Sequence, residues 1–399
     1  MERITCDILL AGGGVAGLSC AAAFASAGFS VTCVDPAPPV TDNTSAGSDL
    51  RTTAFFQGSR NFLMDAGIWQ RLEAHAAPLQ VMRIVDAGGD LPEPRVIRDF
   101  DAADISDLPF GWNLPNWLLR REMVARLAEL PNVDFRPGTG FKSMVTREAE
   151  AIVNLTDGCQ VRCKLVIGAD GRNSAVRQSV GIEAKTTRYG QKAVVFAVTH
   201  DQPHNNISTE VHRSGGPFTL VPLPDHEGKP CSAVVWMEHG PEVLRLRDLP
   251  EPDFNAAATE RSAGVYGPLT LASKRQAWPI IAQVSDRLTA QRTALVAEAA
   301  HVVPPIGAQG LNMSLGDMIC LLELAKADPQ NIGNPQMLAA YERRRHPEIV
   351  LRVRGVDALN RASIAGSHTL RDLRAKGLEA LYSVAPVRKA LMEMGLGAR

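Results

Sequence analysis

The run Gly12-Gly13-Gly14-Val15-Ala16-Gly17 constrains this chain more than any other feature. An apolar stretch, Asp7-Ile8-Leu9-Leu10-Ala11, precedes it and predicts a buried parallel strand. Residues 18–25 follow as a helix of small side chains, and residues 30–34 form a second strand that ends on Asp35. This is the order a dinucleotide site requires. Gly12 makes the tight turn, Gly14 lets the backbone approach a pyrophosphate, and Gly17 lets the helix pack closely on the strand. The free amides at the helix start, at Val15 and Ala16, face the phosphates, and Asp35 is placed for a ribose hydroxyl.

The 399 residues suffice for two or three domains with a large core. A formal net charge of -1 gives no bulk field for nucleic acid, which is excluded as a partner. No apolar run reaches the roughly 18 residues of a membrane span, and the start of the chain lacks the pattern of a secretory signal. The expected location is cytoplasmic. The seven cysteines are scattered and odd in number, which favours reduced thiols. Cys159 and Cys163 share one face of a predicted strand, but no second Cys or His pair lies near them, so no metal site is expected.

Residues 59–72 carry a helical pattern, residues 86–116 read as irregular or edge structure, and residues 120–130 form a helix. Residues 151–155 and 160–164 alternate around the turn Thr156-Asp157-Gly158, and residues 165–169 make a second apolar strand that stops at Asp170. From about 186 to 282 the pattern changes to short strands near 193–198, 219–221 and 232–237, with one helix near 255–266. That is antiparallel territory. A buried strand returns near 293–296, and a helix runs over about 313–327.

Two further segments carry chemistry: Ala169-Asp170-Gly171-Arg172-Asn173-Ser174-Ala175-Val176-Arg177, and the run from Ala297-Glu298-Ala299-Ala300-His301 through Pro304-Pro305 to Gly310-Leu311-Asn312. Together with the glycine turn, they resemble the three fingerprints of the FAD-dependent aromatic hydroxylases, the p-hydroxybenzoate hydroxylase-like group. The stretch Asp49-Leu50-Arg51-Thr52-Thr53-Ala54, then Tyr189, Gln191, Glu210, Gly216-Pro217 and Val234-Val235-Trp236, is similar to the polyprenyl-phenol hydroxylases of ubiquinone biosynthesis. The resemblance implies an α/β fold: an FAD-binding Rossmann-like domain with a largely parallel sheet, an inserted antiparallel substrate domain, and a helical C-terminal tail. The expected division is 1–75, 98–185 and 283–330 for the FAD domain, 76–97 and 186–282 for the substrate domain, and 331–399 for the tail.

By the same resemblance, Asp170 serves the pyrophosphate or a ribose, and Arg51 and Arg120 contact the flavin or diphosphate; a solvated surface role for either arginine stays open. Glu298 stands where the group usually has Asp bonding the ribityl chain. Direct contact and a place behind the contacting residues or in solvent both stay open for it. Gly310, Leu311 and Asn312 begin a helix whose amides point at the flavin pyrimidine edge, where reduction gathers negative charge. Ala308 replaces a common Gly. His301 reads as structural, no catalytic side chain is assigned, and Trp112, Trp117 and Trp236 default to core packing.

The implied activity is hydroxylation of an aromatic ring, that of a polyprenylated phenol, with O2 and reduced FAD acting through a C4a-hydroperoxide. Electrons come from NAD(P)H or an electron-transfer partner. The alternatives are a hydroxylase of small soluble phenols or benzoates, an FAD-dependent prenyl reductase, and a non-catalytic flavoprotein of a biosynthetic complex. Residues 341–399 hold twelve Arg/Lys against six Asp/Glu. Within them Leu370, Leu373, Leu378 and Leu381 follow helical spacing beside Arg371, Arg374 and Lys376. This pattern predicts peripheral contact with the inner face of the membrane or with a partner of a ubiquinone-biosynthesis complex; packing of the apolar stripe on the FAD domain, with the charges solvated, stays open.

Overall fold

The computed structural model describes residues 2–45, 47–213, 215–364, 382–383 and 385–396. Strand β1 (Arg3–Ala11) lies at the centre of an eight-stranded sheet among these residues. It pairs in parallel with β2 (Val31–Asp35) on one side and with the strand Gln160–Gly168 on the other. Val133–Pro137 and Thr293–Leu295 extend the parallel order outward. Ile8, Leu9 and Leu10 are fully buried, as an apolar strand covered on both faces must be. Helix α1 (Val15–Ser26) is mostly Ala, Ser, Cys and Gly; ten of its twelve residues are buried, because small side chains let it settle directly against the sheet and three neighbouring helices.

A second, nine-stranded sheet is largely antiparallel. Its long strands Ala184–Thr199, Lys229–His239 and Pro217–His226 follow one another, and Ile207–His212 and Val81–Asp86 continue it in parallel pairing. One face packs on the helices Gly240–Asp248 and Glu251–Arg261 through Val194, Phe196, Val211, Phe218, Leu220, Trp236 and Phe254. The opposite face looks toward the parallel sheet. Three strands here run through the expected domain divisions: Val96–Asp101, Ala184–Thr199 and Gln276–Ser285.

Other differences are local. The stretch read as irregular or edge structure, 86–116, does supply an edge strand, Val96–Asp101, and also the strand Gly111–Pro115 at the centre of a small three-stranded sheet. The two strands expected at 160–164 and 165–169 are one, Gln160–Gly168, antiparallel to Ala151–Leu155 in its first half and parallel to β1 throughout. Cys159 sits just before that strand rather than within it; it and the six other cysteines are buried and free. The helix Pro335–Ile364 packs on the helix Gln309–Ala327 and on the strands Gln276–Ser285 and Thr289–Ala290, and Met392 of the helix Ala385–Leu396 is buried against Phe56, Ala102 and Phe110. The patterned residues 370–381 lie outside the described residues. No helix among the described residues is long and apolar enough to cross a membrane.

Candidate active site

The three fingerprint glycines do three different things. Gly12 has φ +116°, and a Cβ there would lie 2.3 Å from the Ala169 carbonyl oxygen. A Cβ on Gly17 would lie 1.8 Å from the Gly12 oxygen. Both positions are therefore closed to side chains by backbone. Gly14 has ordinary extended dihedrals, φ −73° and ψ 178°, and its Cβ would meet nothing within 4 Å. It faces an open cleft. Asp35 folds back on the turn: its carboxylate accepts from the Gly13 amide at 2.5 Å and from Ala37 at 2.8 Å. Gly13 is itself crowded, with a Cβ there 2.8 Å from the Asp35 Cβ, a requirement the sequence pattern did not reveal.

The cleft, about 460 Å³, lies between the parallel sheet and the open face of the second sheet. Gly14, Val15, Ala16, Arg51, Arg120, Glu298, Gly310 and Leu311 line it together. Gly12 and Gly17 stand behind it as packing, and Asp35, Asp170 and Asn312 are not among the residues that line it. Two helices open on it without caps. Helix α1 starts at Gly14 and the helix Gln309–Ala327 starts at Ala308, neither with a side-chain cap nor with an acidic residue in its first turn. Each uncapped N-terminus carries roughly half a positive charge on unpaired amides. Ala308 adopts φ 53°, so the Ala at the position where Gly is common keeps the left-handed turn at a cost of roughly 1–2 kcal/mol.

The arm after the turn supplies fixed cations. Asp49 is buried and takes two bonds from the Arg51 guanidinium, at 2.8 and 2.7 Å, one from the Arg51 amide at 3.2 Å, one from Asn116 at 3.0 Å and a longer one from Arg120 at 3.5 Å. Burial alone would raise its pKa, but Arg51, Asn116 and Arg120 outweigh that and hold it below the usual aspartate value. The Arg51 guanidinium also lies 4.3 Å over the Trp278 ring. Arg120 Nε is buried with no partner among the described residues. Asp49, two positions before Arg51, was not among the expected site residues, and it is what aims both arginines.

Asp170 caps the short helix Ala175–Ser179, accepting from Ser174 Oγ at 2.5 Å and from the Val176 amide at 3.1 Å. Glu298 sits on the rim, about half exposed, with Arg172 Nε 3.5 Å away. Asn312 spends its side chain on the protein. Its Nδ2 donates to Ala54 and Ala308 carbonyls at 2.7 Å each, and its Oδ1 accepts from Phe56 N and Ser59 Oγ at 2.9 and 2.7 Å. Only its backbone remains for a ligand. His301 is buried and shares Asp317 with Arg345: Asp317 Oδ2 lies 2.7 Å from His301 Nε2, and Oδ1 accepts from Arg345 Nε at 3.0 Å. The Ala297 amide also donates to Asp317 at 3.2 Å, which fixes Ala297 at φ 56° immediately before Glu298. Trp236 packs edge-on against Phe218, and Trp112 does so against Trp69.

Two uncapped helix starts, an arginine pair with an unsatisfied nitrogen and an open Gly14 in one cleft suit a diphosphate-bearing cofactor. A family profile described as an FAD binding domain matches residues 5–356. The chain belongs to this FAD-binding family. It is an FAD-dependent aromatic monooxygenase of the branch that holds the ubiquinone-biosynthesis hydroxylases. Ubiquinone hydroxylase UbiL of Rhodospirillum rubrum is 32% identical over 98% of this chain and 89% of its own length. The 3-demethoxyubiquinol 3-hydroxylase of Escherichia coli is 24% identical over 98% of both chains. Among solved structures, p-nitrophenol 4-monooxygenase PnpA from Pseudomonas putida shares the fold with a TM-score of 0.79, at 18% identity and 99% coverage of each chain. The FAD family draws its electrons from NAD(P)H or from a reductase.

Proposed function

We propose that this monooxygenase hydroxylates the ring of a polyprenylated phenol on the route to ubiquinone. Supporting this is a single cleft that changes character along its length. One end has free helix amides and arginines; the other is lined by Leu79, Val81, Met82, Phe110, Val221 and Val235. The relatives' names supply the substrate class. Bound FAD supplies the activation of O2, and the chain's residues hold and shield it. The Gly14, Val15 and Ala16 amides with Arg51 and Arg120 would hold the diphosphate, and Asp35 and Asp170 the ribose and pyrophosphate margin. Glu298 would meet the ribityl chain, and the Gly310–Asn312 backbone amides the flavin pyrimidine edge. The apolar walls orient the ring and exclude water from the reacting centre.

The test is deletion of the gene followed by mass spectrometry of quinone precursors. Accumulation of a prenylated precursor lacking one ring oxygen is expected. An unchanged quinone pool, with turnover of prenyl-free phenols by the purified protein, points instead to a hydroxylase of small soluble phenols. The basic C-terminal residues give the same enzyme a means of meeting a lipid-dissolved substrate, at the cytoplasmic membrane face or through a biosynthetic partner. Co-sedimentation with anionic liposomes should then fall at high salt and in the Arg371→Glu/Arg374→Glu/Lys376→Glu variant.

A further inference from the structure

Six ionisable side chains line the cleft among the described residues. Five belong to its cofactor end and are already engaged: Asp49, Arg51 and Arg120 with one another, Glu298 with Arg172, and His301 with Asp317. The sixth, Glu210, comes from the second sheet. It lies on the strand Ile207–His212, where side chains alternate between faces. Thr209 and Val211 turn to the helix-packed side; Thr209 Oγ1 is 3.0 Å from Tyr266 OH, and Val211 is fully buried in that core. Ser208 and Glu210 turn to the cleft, opposite Val221 and Thr219 of the neighbouring strand and beside Val235.

A carboxylate on this largely apolar wall has one partner among the described residues. Glu210 Oε1 lies 2.7 Å from His212 Nε2, and both side chains are mostly buried. Glu210 Oε2 has no partner among the described residues, and His212 Nδ1 is buried without one. Two residues apart on one strand, the pair ties no two elements together, so it does little for the fold. Burying a carboxylate beside the apolar Val221 and Val235 costs free energy. The expense falls where an aromatic substrate would lie.

We propose that Glu210 is the base that removes the phenol proton from the substrate, with His212 as the residue that positions it. This rests on the phenol-hydroxylase reading above. His212, with Nε2 2.7 Å from Oε1, holds that oxygen in place and leaves Oε2 for the substrate hydroxyl. The phenol O–H bond breaks toward Oε2 and its electron pair stays on the ring oxygen. The resulting phenolate is the more electron-rich ring and is more readily attacked at carbon. Once the new C–O bond has formed and the ring C–H proton has left to solvent, Glu210 returns its proton to the phenolate oxygen, and the carboxylate is regenerated.

The experiment uses the FAD-loaded protein with labelled dioxygen and a series of phenols of graded O–H acidity. Glu210→Gln should lose roughly 100-fold or more in kcat on the least acidic phenols, the range a general base supplies. The deficit should shrink steadily toward none for phenols already ionised at the assay pH. His212→Gln should show a smaller deficit with the same dependence, and Glu210→Asp should retain part of the rate. In a second readout, a nitrophenol with a coloured phenolate should ionise in the parent's cleft below its solution pKa and should not do so in Glu210→Gln. A deficit equal across the series, or no deficit, with the bound nitrophenol ionising alike in parent and variant, overturns the proposal. Failure of the parent to place labelled oxygen in any phenol strikes the hydroxylase reading instead, and the nitrophenol titration still decides whether Glu210 is a base.

Discussion

Gly17 rests on the carbonyl oxygen of Gly12 so closely that a single Cβ would come within 1.8 Å of it, whereas Gly14, between them in sequence, faces open space. The two positions should therefore fail differently. Gly17→Ala forces α1 off β1 and should lower apoprotein stability by about 1–3 kcal/mol in urea denaturation. Gly14→Val should leave the apoprotein within about 1 kcal/mol of the parent, since it changes only an uncapped helix start. It should nevertheless abolish FAD retention. Flavin retained in Gly14→Val would refute the assignment of this turn to the diphosphate.

Asp317 joins α-helical residues to the turn before Glu298 through His301, Arg345 and the Ala297 amide. Burial pushes its pKa up, but His301 and Arg345 win and hold it below the ordinary aspartate range. A depressed folded pKa contributes stability above the unfolded value, about 3.9, and loses it as pH falls through the folded one. Asp317→Asn should cost about 3 kcal/mol at neutral pH, because buried Arg345 loses its buried carboxylate and keeps only the half-exposed Glu348 as a counter-charge. The parent should lose stability more steeply than the variant below about pH 4. Chemical denaturation at a series of pH values measures both.

Asn312 clips the strand Thr52–Phe56 to the start of the helix Gln309–Ala327: two of its four hydrogen bonds reach Ala54 and Phe56, one reaches Ser59 and one Ala308 at its own helix start. Asn312→Ala leaves the Phe56 amide and two carbonyls short of partners, so the apoprotein should lose roughly 2–4 kcal/mol. Stability unchanged in thermal unfolding, with only flavin affinity reduced, contradicts this structural role.

Glu298 behaves differently. Its exposed contact with Arg172 is worth at most about 1 kcal/mol, so Glu298→Ala should barely move apoprotein melting. If its carboxylate meets the ribityl chain, fluorescence titration should show FAD affinity weaker by roughly 1–3 kcal/mol, with Glu298→Gln between the two. Parent-like affinity in Glu298→Ala removes the residue from the cofactor contacts.

The glycine turn and α1 were legible because each is local: spacing dictates a turn and a packing face. The start of the Gln309–Ala327 helix came from the family likeness, since the residue pattern alone began it near 313. The strands near 193–237 were legible in place but not in length, since their flanks carry polar residues whose pairing only the sheet supplies. Asp317 and Asn312 could not be read for what they do. Asp317 meets His301 and Arg345 from separate elements, and Asn312 meets Phe56 and Ser59 from some 250 positions away. Nothing local marks Ala297 as left-handed either, because tertiary bonds hold an alanine where glycine would go unforced. Glu210 was visible only as part of the family likeness; its pairing with His212 follows from strand alternation, which puts both on the cleft side.

The central claim, an FAD monooxygenase acting on an aromatic ring in this one cleft, is tested most directly by supplying the purified, FAD-loaded protein with a reductant, a prenylated phenol and isotopically labelled dioxygen. Mass spectrometry of the product should find one labelled oxygen on the ring, and Gly14→Val should form none. Reduction of the prenyl chain, or flavin oxidation to hydrogen peroxide with no label in the phenol, would contradict the account.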